Sequence, residues 1–97
     1  MRVVTPKKLV EYSKKHPSAK TPLLHWFEIL KNENFKSLSE LKEKFNNVDY
    51  VGNNRYVFNI KGNDFGLVCI IICISNKAYI RFIGTHSEYD KIDATKI

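Results

Sequence analysis

The run of residues from Phe65 to Ile74 is almost entirely apolar and rich in β-branched side chains. Such a run predicts a strand that is buried on both faces and lies in the middle of a sheet. It is far shorter than the ~20 apolar residues that cross a bilayer. The rest of the chain must therefore supply elements that cover both faces of this strand.

Helical periodicity dominates the residues before Phe45. Thr5-Pro6 predicts a helix start, with Thr5 as N-cap and Pro6 at the first helical position. Ser37 and Glu40 have the spacing of a capping box. The predicted elements are a strand at 2–4, a helix from Thr5-Pro6 to near His16-Pro17, a helix from Ser18 or Thr21 to Asn32, and a helix from Ser37 through Phe45.

After Phe45 the hydrophobic period changes to two, which is typical of strands. Strands are predicted at Arg55–Lys61, Phe65–Ile74 and Ala78–Gly84, with a strand end at Tyr50-Val51 and turns at Gly52–Asn54, Gly62–Asp64 and Ser75–Lys77. Thr85 and Glu88 have capping-box spacing and predict a short C-terminal helix or turn through Ile92. The order of elements predicts a single α+β domain over residues 1–97.

The charge and cysteine content narrow the class of protein. The 97 residues carry 16 Lys+Arg against 10 Asp+Glu, a net charge of +6. This balance is typical of polyanion-binding domains, although a basic solvated surface has the same composition. Cys69 and Cys73 lie four apart in one predicted strand, about 13 Å apart and beyond disulfide reach. With no apolar signal segment at the N-terminus, we expect a cytoplasmic protein with reduced cysteines.

No phosphate-binding loop, dinucleotide fingerprint or Cys/His metal spacing is present, which argues against those classes of enzyme. Polar residues instead gather near the ends of the predicted strands in the second half. They are Asn59, Lys61, Asn63, Arg81, His86, Glu88, Tyr89, Asp90 and Lys91.

Three segments, HPSAKTPLLHW, VFNIKGNDFGLVCII and YIRFIGTHSEYDKIDA, closely resemble the HigB-type toxins of bacterial toxin–antitoxin modules, and the resemblance extends over essentially the whole chain. These toxins belong to the RelE-like group that cleaves messenger RNA. The resemblance implies a RelE-like fold, in which N-terminal helices pack on a small, mainly antiparallel sheet with a short C-terminal helix. It also implies ribosome-dependent, metal-independent RNA cleavage without a cofactor.

The resemblance also implies site residues. The expected catalytic set is Lys61, Arg81, His86, Tyr89 and Asp90, and the expected RNA-binding set is Asn59, Asn63, Gly66 and Lys91. Cations oppose the charge of a phosphorane, and aromatic rings stack on splayed bases. The structural alternatives are a solvent-facing Lys61, an Arg81 ion pair with Asp64 or Asp90, and a capping His86. Strand alternation predicts that Arg81 lies on the same face as Tyr79 and Ile83.

Gly66 departs from the family pattern, in which an arginine occupies this position and binds phosphate. By alternation, residue 66 lies on the face opposite Leu67 and Cys69, and we expect that face to be open there. The glycine predicts reduced activity if the arginine has been lost. Alternatively, it marks a bulge or a close backbone approach.

The resemblance implies a HigA-like helix-turn-helix antitoxin as partner, with operator DNA bound only through that antitoxin. It also implies a messenger RNA presented in the ribosomal A site, and no membrane. An alternative is a catalytically inactive RNA- or antitoxin-binding module, which Gly66 favours. A DNA-binding regulator is disfavoured, because no helix-turn-helix pattern with a basic recognition helix occurs.

Overall fold

A computed structural model describes residues 1–97. In chain order, the elements are β1 (Arg2–Val4), α1 (Lys7–Lys15), α2 (Lys20–Asn32), α3 (Leu38–Lys44), β2 (Val48–Gly52), β3 (Arg55–Ile60), β4 (Phe65–Ile72), β5 (Lys77–Thr85) and α4 (His86–Tyr89), with short 3-10 turns at Pro17–Ala19 and Cys73–Ser75. The α+β prediction is confirmed. None of the helices has the length and apolar character that a membrane span requires.

The five strands form one sheet in the order β1-β5-β4-β3-β2. β1 pairs in parallel with β5, and every other neighbouring pair is antiparallel. The apolar strand β4 therefore lies at the centre, as its sequence predicts. β1 pairs only with Lys77–Tyr79 of β5, so the later part of β5 has no strand beside it on that edge.

The sheet has two unlike faces. On the first, here called the helix face, Phe58, Leu67, Ile71 and Ile80 pack under the helices in a core of 20 buried residues that also contains Trp26. On the second, here called the C-terminal face, residues 86–97 cover a smaller cluster. Its buried members are Val57, Val68 and Ala94, and Phe82, Tyr89 and Ile92 pack against them.

Two local predictions are wrong. α1 begins at Lys7 with Pro6 at the N-cap position, while Thr5 has a φ of +62° and donates its hydroxyl to the Val4 carbonyl instead of capping the helix. β4 ends at Ile72, because the chain turns at Cys73–Ser75 and leaves Ile74 97% exposed. Cys73 therefore lies outside the strand that holds Cys69, and both thiols are free.

Candidate functional site

α4 follows directly from β5 and is held by the capping box that its sequence predicts. The Thr85 backbone N–H donates to Glu88 Oε1 at 2.8 Å, and the Glu88 N–H donates to Thr85 Oγ1 at 3.2 Å. The bonds with Thr85 lower the pKa of the Glu88 carboxyl. Glu88 is therefore anionic at neutral pH and fixes the orientation of this four-residue helix.

The β3–β4 turn meets α4 at the same end of the sheet. Lys61 has a φ of +53° and belongs to this turn, so it is not the last residue of the strand as predicted. Its Nζ lies 3.9 Å from Asp64 Oδ2, and the Asp64 carbonyl accepts a hydrogen bond of 3.1 Å from the backbone N–H of His86. This bond ties the turn that carries Lys61 to the start of α4.

His86 and Tyr89 belong to α4, and Asp90 is the residue that ends it, next to this turn. His86 Nδ1 lies 3.5 Å from Asp90 Oδ2, and the His86 ring centroid is 5.8 Å from that of Tyr89. With the Asp90 carboxylate beside Nδ1, Nε2 is the ring nitrogen that can exchange a proton with a bound molecule. We call Lys61, Asp64, His86, Tyr89 and Asp90 the α4 site.

Tyr89 packs directly over Gly66. A β-carbon built on Gly66 would lie 3.3 Å from both Cβ and Cγ of Tyr89, so the glycine allows the ring to sit against the sheet. The expectation that this face is open at residue 66 is therefore wrong. Burial, assisted by the charges of Asp49 and Asp90, raises the pKa of the Tyr89 phenol, which stays protonated.

The remaining predicted RNA-binding residues surround this region. Asn59 pairs with Gly66 across β3 and β4, and together with Lys61 and His25 it lines a cleft of about 240 Å³. Asn63 lies exposed in the β3–β4 turn, and Lys91 is exposed just beyond α4. Of these residues, Asn59 is therefore the one whose backbone lies directly beside Gly66.

Arg81 occupies a bulge in β5 and lines a groove beside α1. Ile80 pairs with Cys69 and Phe82 pairs with Val68, which leaves Arg81 as an extra residue without a partner in β4. The bulge puts Tyr79 and Ile83 on opposite faces, so the prediction that Arg81 shares one face with both is wrong. Arg81 forms no ion pair with Asp64 or Asp90, whose partners are Lys61 and His86.

The other histidines have structural environments. His16 caps the end of α1, and its ring stacks on Tyr12 with centroids 4.4 Å apart. His25 is exposed on α2. The largest cleft, about 550 Å³ between α1 and α2, is lined by no histidine, acid or tyrosine. No group of three His, Cys, Asp or Glu side chains is placed to hold a metal ion.

Sequence reasoning missed Asp64 as a positioning group, because the bond from the His86 N–H to the Asp64 carbonyl depends on the β4–β5 register. The Thr85–Glu88 pair was predicted from its capping-box spacing. Chemically, the α4 site offers an imidazole, an ammonium group and a protonated phenol around one exposed surface. This set can exchange protons and oppose negative charge.

Known proteins were compared with the chain. A family model for the HigB toxin, the RelE-like toxic component of a toxin–antitoxin system, matches residues 19–92. The mRNA interferase toxin HigB of Escherichia coli strain K12 is 36% identical over 93 residues, which cover 93% of this chain and 88% of that protein. The mRNA interferase HigB of Shigella flexneri gives the same figures. The mRNA interferase HigB of Escherichia coli O6:H1 is 24% identical over 94 residues, which cover 95% of this chain and 91% of that protein.

Proposed function

This chain belongs to the HigB family of RelE-like toxins of toxin–antitoxin systems, and we propose that it is an endoribonuclease that cuts messenger RNA on the translating ribosome. The observation that carries the proposal is the convergence of His86, Tyr89, Asp90 and Lys61 at one end of the sheet. The RNA supplies its own nucleophile, the 2′-hydroxyl, so a site of this composition performs the cleavage without a metal or cofactor.

Each residue of the α4 site has a role in that reaction. His86 Nε2 accepts the proton of the 2′-hydroxyl, and Asp90 holds the ring through Nδ1. Lys61 opposes the negative charge that develops on the phosphorane. Tyr89 stays protonated because burial raises its pKa, so its hydroxyl can donate to an RNA oxygen, including the departing 5′-oxygen, and its ring can stack on a base.

The surrounding residues bind the RNA and do not take part in the proton transfers. Asn59 and Asn63 offer amide donors and acceptors beside Lys61, and Lys91 adds a cation beyond α4. Arg81 occupies the bulge in β5 and lines a groove beside α1 with Lys8 and Lys15. We therefore assign Arg81 to RNA binding and not to proton transfer.

The proposed activity implies partners that control and present the substrate. We propose a HigA-like helix-turn-helix antitoxin that neutralises the toxin and carries the pair to operator DNA, and the ribosomal A site as the place where messenger RNA is presented. These partners place the reaction in the cytoplasm.

A second candidate function is a binding module that holds RNA or an antitoxin without cutting. Gly66 favours it, since Tyr89 fills the space above this glycine, at the position where the resemblance to the family implies an arginine. The loss of that guanidinium weakens the stabilisation of the transition state and lowers the cleavage rate by a factor of roughly 10²–10³.

The test adds purified chain to a reconstituted translation system with one defined message and maps the cut sites by primer extension. The arms are translating ribosomes, ribosomes without initiation and message alone. The Lys61→Ala/His86→Ala double variant, purified in parallel, controls for contaminating nuclease. Cuts made only by the unaltered chain, and only during translation, support the proposed function. RNA binding with no cuts in any arm favours the binding module.

A further inference from the structure

We propose that the groove between α1 and β5 binds the phosphate backbone of single-stranded RNA that extends from the α4 site. This inference rests on the proposed function, because it takes RNA as the ligand of the neighbouring site. The groove has a volume of about 310 Å³, and its lining includes Lys8, Lys15, Tyr12 and Arg81.

The groove exists because β1 is shorter than β5 and leaves part of the β5 edge unpaired beside α1. β1 pairs with β5 only as far as Tyr79, and α1 then lies beside the strandless edge of β5. Lys8 Nζ donates to the Ile80 carbonyl at 3.4 Å, which holds this lysine against that edge. The bulge at Arg81 interrupts the alternation and leaves its side chain exposed at the groove.

The charge of the groove suits a polyanion. Lys8, Lys15 and Arg81 are exposed, and none of them takes part in an ion pair within the protein. Glu11 is the single acid that lines the groove, and its carboxylate lies 3.8 Å from Lys7 Nζ. Three unpaired cations against one paired acid attract phosphates and release their counterions.

Tyr12 adds a donor that the protein leaves unused. Its hydroxyl is buried and has no hydrogen-bond partner. Burial, with a smaller contribution from the nearby Glu88 carboxylate, raises the pKa of this phenol, so it stays protonated. A buried donor without a partner is costly, and a small shift that admits an RNA oxygen would satisfy it.

Position links the groove to the α4 site and selects RNA over other polyanions. Arg81 and His86 are five residues apart along β5 and its continuation, about 16 Å in extended backbone. An RNA strand with its reacting phosphate at His86 has further phosphates within reach of Arg81 and then of α1. An acidic protein surface would have no reason to continue from the groove to an imidazole.

The experiment measures binding of a fluorescein-labelled 12-nucleotide single-stranded RNA by anisotropy across a salt series. The test variant is Lys8→Gln/Lys15→Gln. The matched control is Lys36→Gln/Lys42→Gln, which removes the same two charges from exposed positions outside the groove. We expect the groove variant to lose roughly tenfold or more in affinity and its salt slope to fall by about 1.4, since each phosphate contact on a single strand contributes about 0.7.

The outcomes separate this inference from the proposed function. An equal loss in both variants means that overall charge binds the RNA, and no loss in either means that the groove is not used; each overturns the inference. So does a poly-glutamate peptide that displaces the RNA from the groove with equal affinity. The same proteins are assayed for cleavage during translation. If the unaltered chain cleaves the message and the groove variant binds RNA as tightly as the unaltered chain, only the groove inference is overturned. If the unaltered chain neither binds nor cleaves RNA, both the groove inference and the proposed function are overturned.

Discussion

The two faces of the sheet are made by the same strands but differ in what covers them. The helix face is covered by α1, α2 and α3 and holds 20 buried residues in one cluster. The C-terminal face is covered by residues 86–97 alone, and its cluster has three buried members. On this second face, Gly66 pairs with Gly84 where a side chain would otherwise stand.

This difference shows how strand alternation separates the large core of the helix face from the small cluster of the C-terminal face. Residues such as Leu67 point to the helix face and provide buried apolar area. On the C-terminal face, the neighbouring Gly66 has no side chain and so leaves room for Tyr89. The helix face holds most of the buried apolar side chains, and the C-terminal face carries Tyr89 of the α4 site.

The sharpest way to test this separation is His86→Ala. The imidazole is 44% exposed, so we expect its loss to leave thermal stability nearly unchanged. Cleavage should fall by roughly 10²–10⁴, the usual contribution of a positioned general base. Primer extension measures the change in cleavage rate, and a thermal melt measures the change in stability. A large drop in melting temperature would instead assign His86 a structural role.

The reciprocal change is Leu67→Ala on the helix face. Leu67 is fully buried, and we expect a loss of about 2–5 kcal/mol in the free energy of unfolding, a large share of what such a domain has. Urea titration followed by circular dichroism gives the value. Ile74→Ala, at a position 97% exposed, is the control and should change stability by less than about 0.5 kcal/mol. Ile92→Ala on the C-terminal face should cost an intermediate amount, about 1 kcal/mol in the free energy of unfolding.

Gly66→Arg tests whether the lack of an arginine on the C-terminal face limits the cleavage rate. A guanidinium is a permanently charged, forked donor to a phosphorane, and we expect cleavage to rise by roughly 10²–10³. Because Tyr89 lies 3.3 Å from the new β-carbon, the ring must shift, at about 1–3 kcal/mol of stability. Gly66→Ala introduces the same crowding without the charge and should bring no gain in cleavage. An arginine variant that folds but cuts no better would favour the binding module.

The smallest expected effect concerns the cap of α4 and pH. The bonds with Thr85 lower the pKa of Glu88 in the folded protein. A lowered pKa means that the stabilisation is complete above the unfolded value near 4.5 and is lost as pH falls through the lower folded value. The backbone amide resonances of Thr85 and Glu88 should therefore shift together below about pH 4.5. Glu88→Gln keeps the acceptor oxygen and should abolish the titration; a shift that persists would assign it to another group.

Local patterns were sufficient to predict most of the elements. The change of hydrophobic period near Phe45, the apolar run of β4 and the two capping boxes depend on neighbouring residues alone, so they could be read before the structure. The start of α1 was mispredicted because the left-handed backbone at Thr5 follows from its position between β1 and α1, which propensity does not report.

The sequence by itself determined the α+β class, the central position of β4, the family and the residue types available for RNA chemistry. Tertiary structure alone decided which of those residues meet. Arg81, at the bulge of β5, lines the groove beside α1, and the β4–β5 register brings the Asp64 carbonyl to the His86 amide. Tertiary structure also places Tyr89 directly over Gly66. These contacts join residues far apart in the chain, and one extra residue in a strand changes them all, so strict alternation cannot anticipate them.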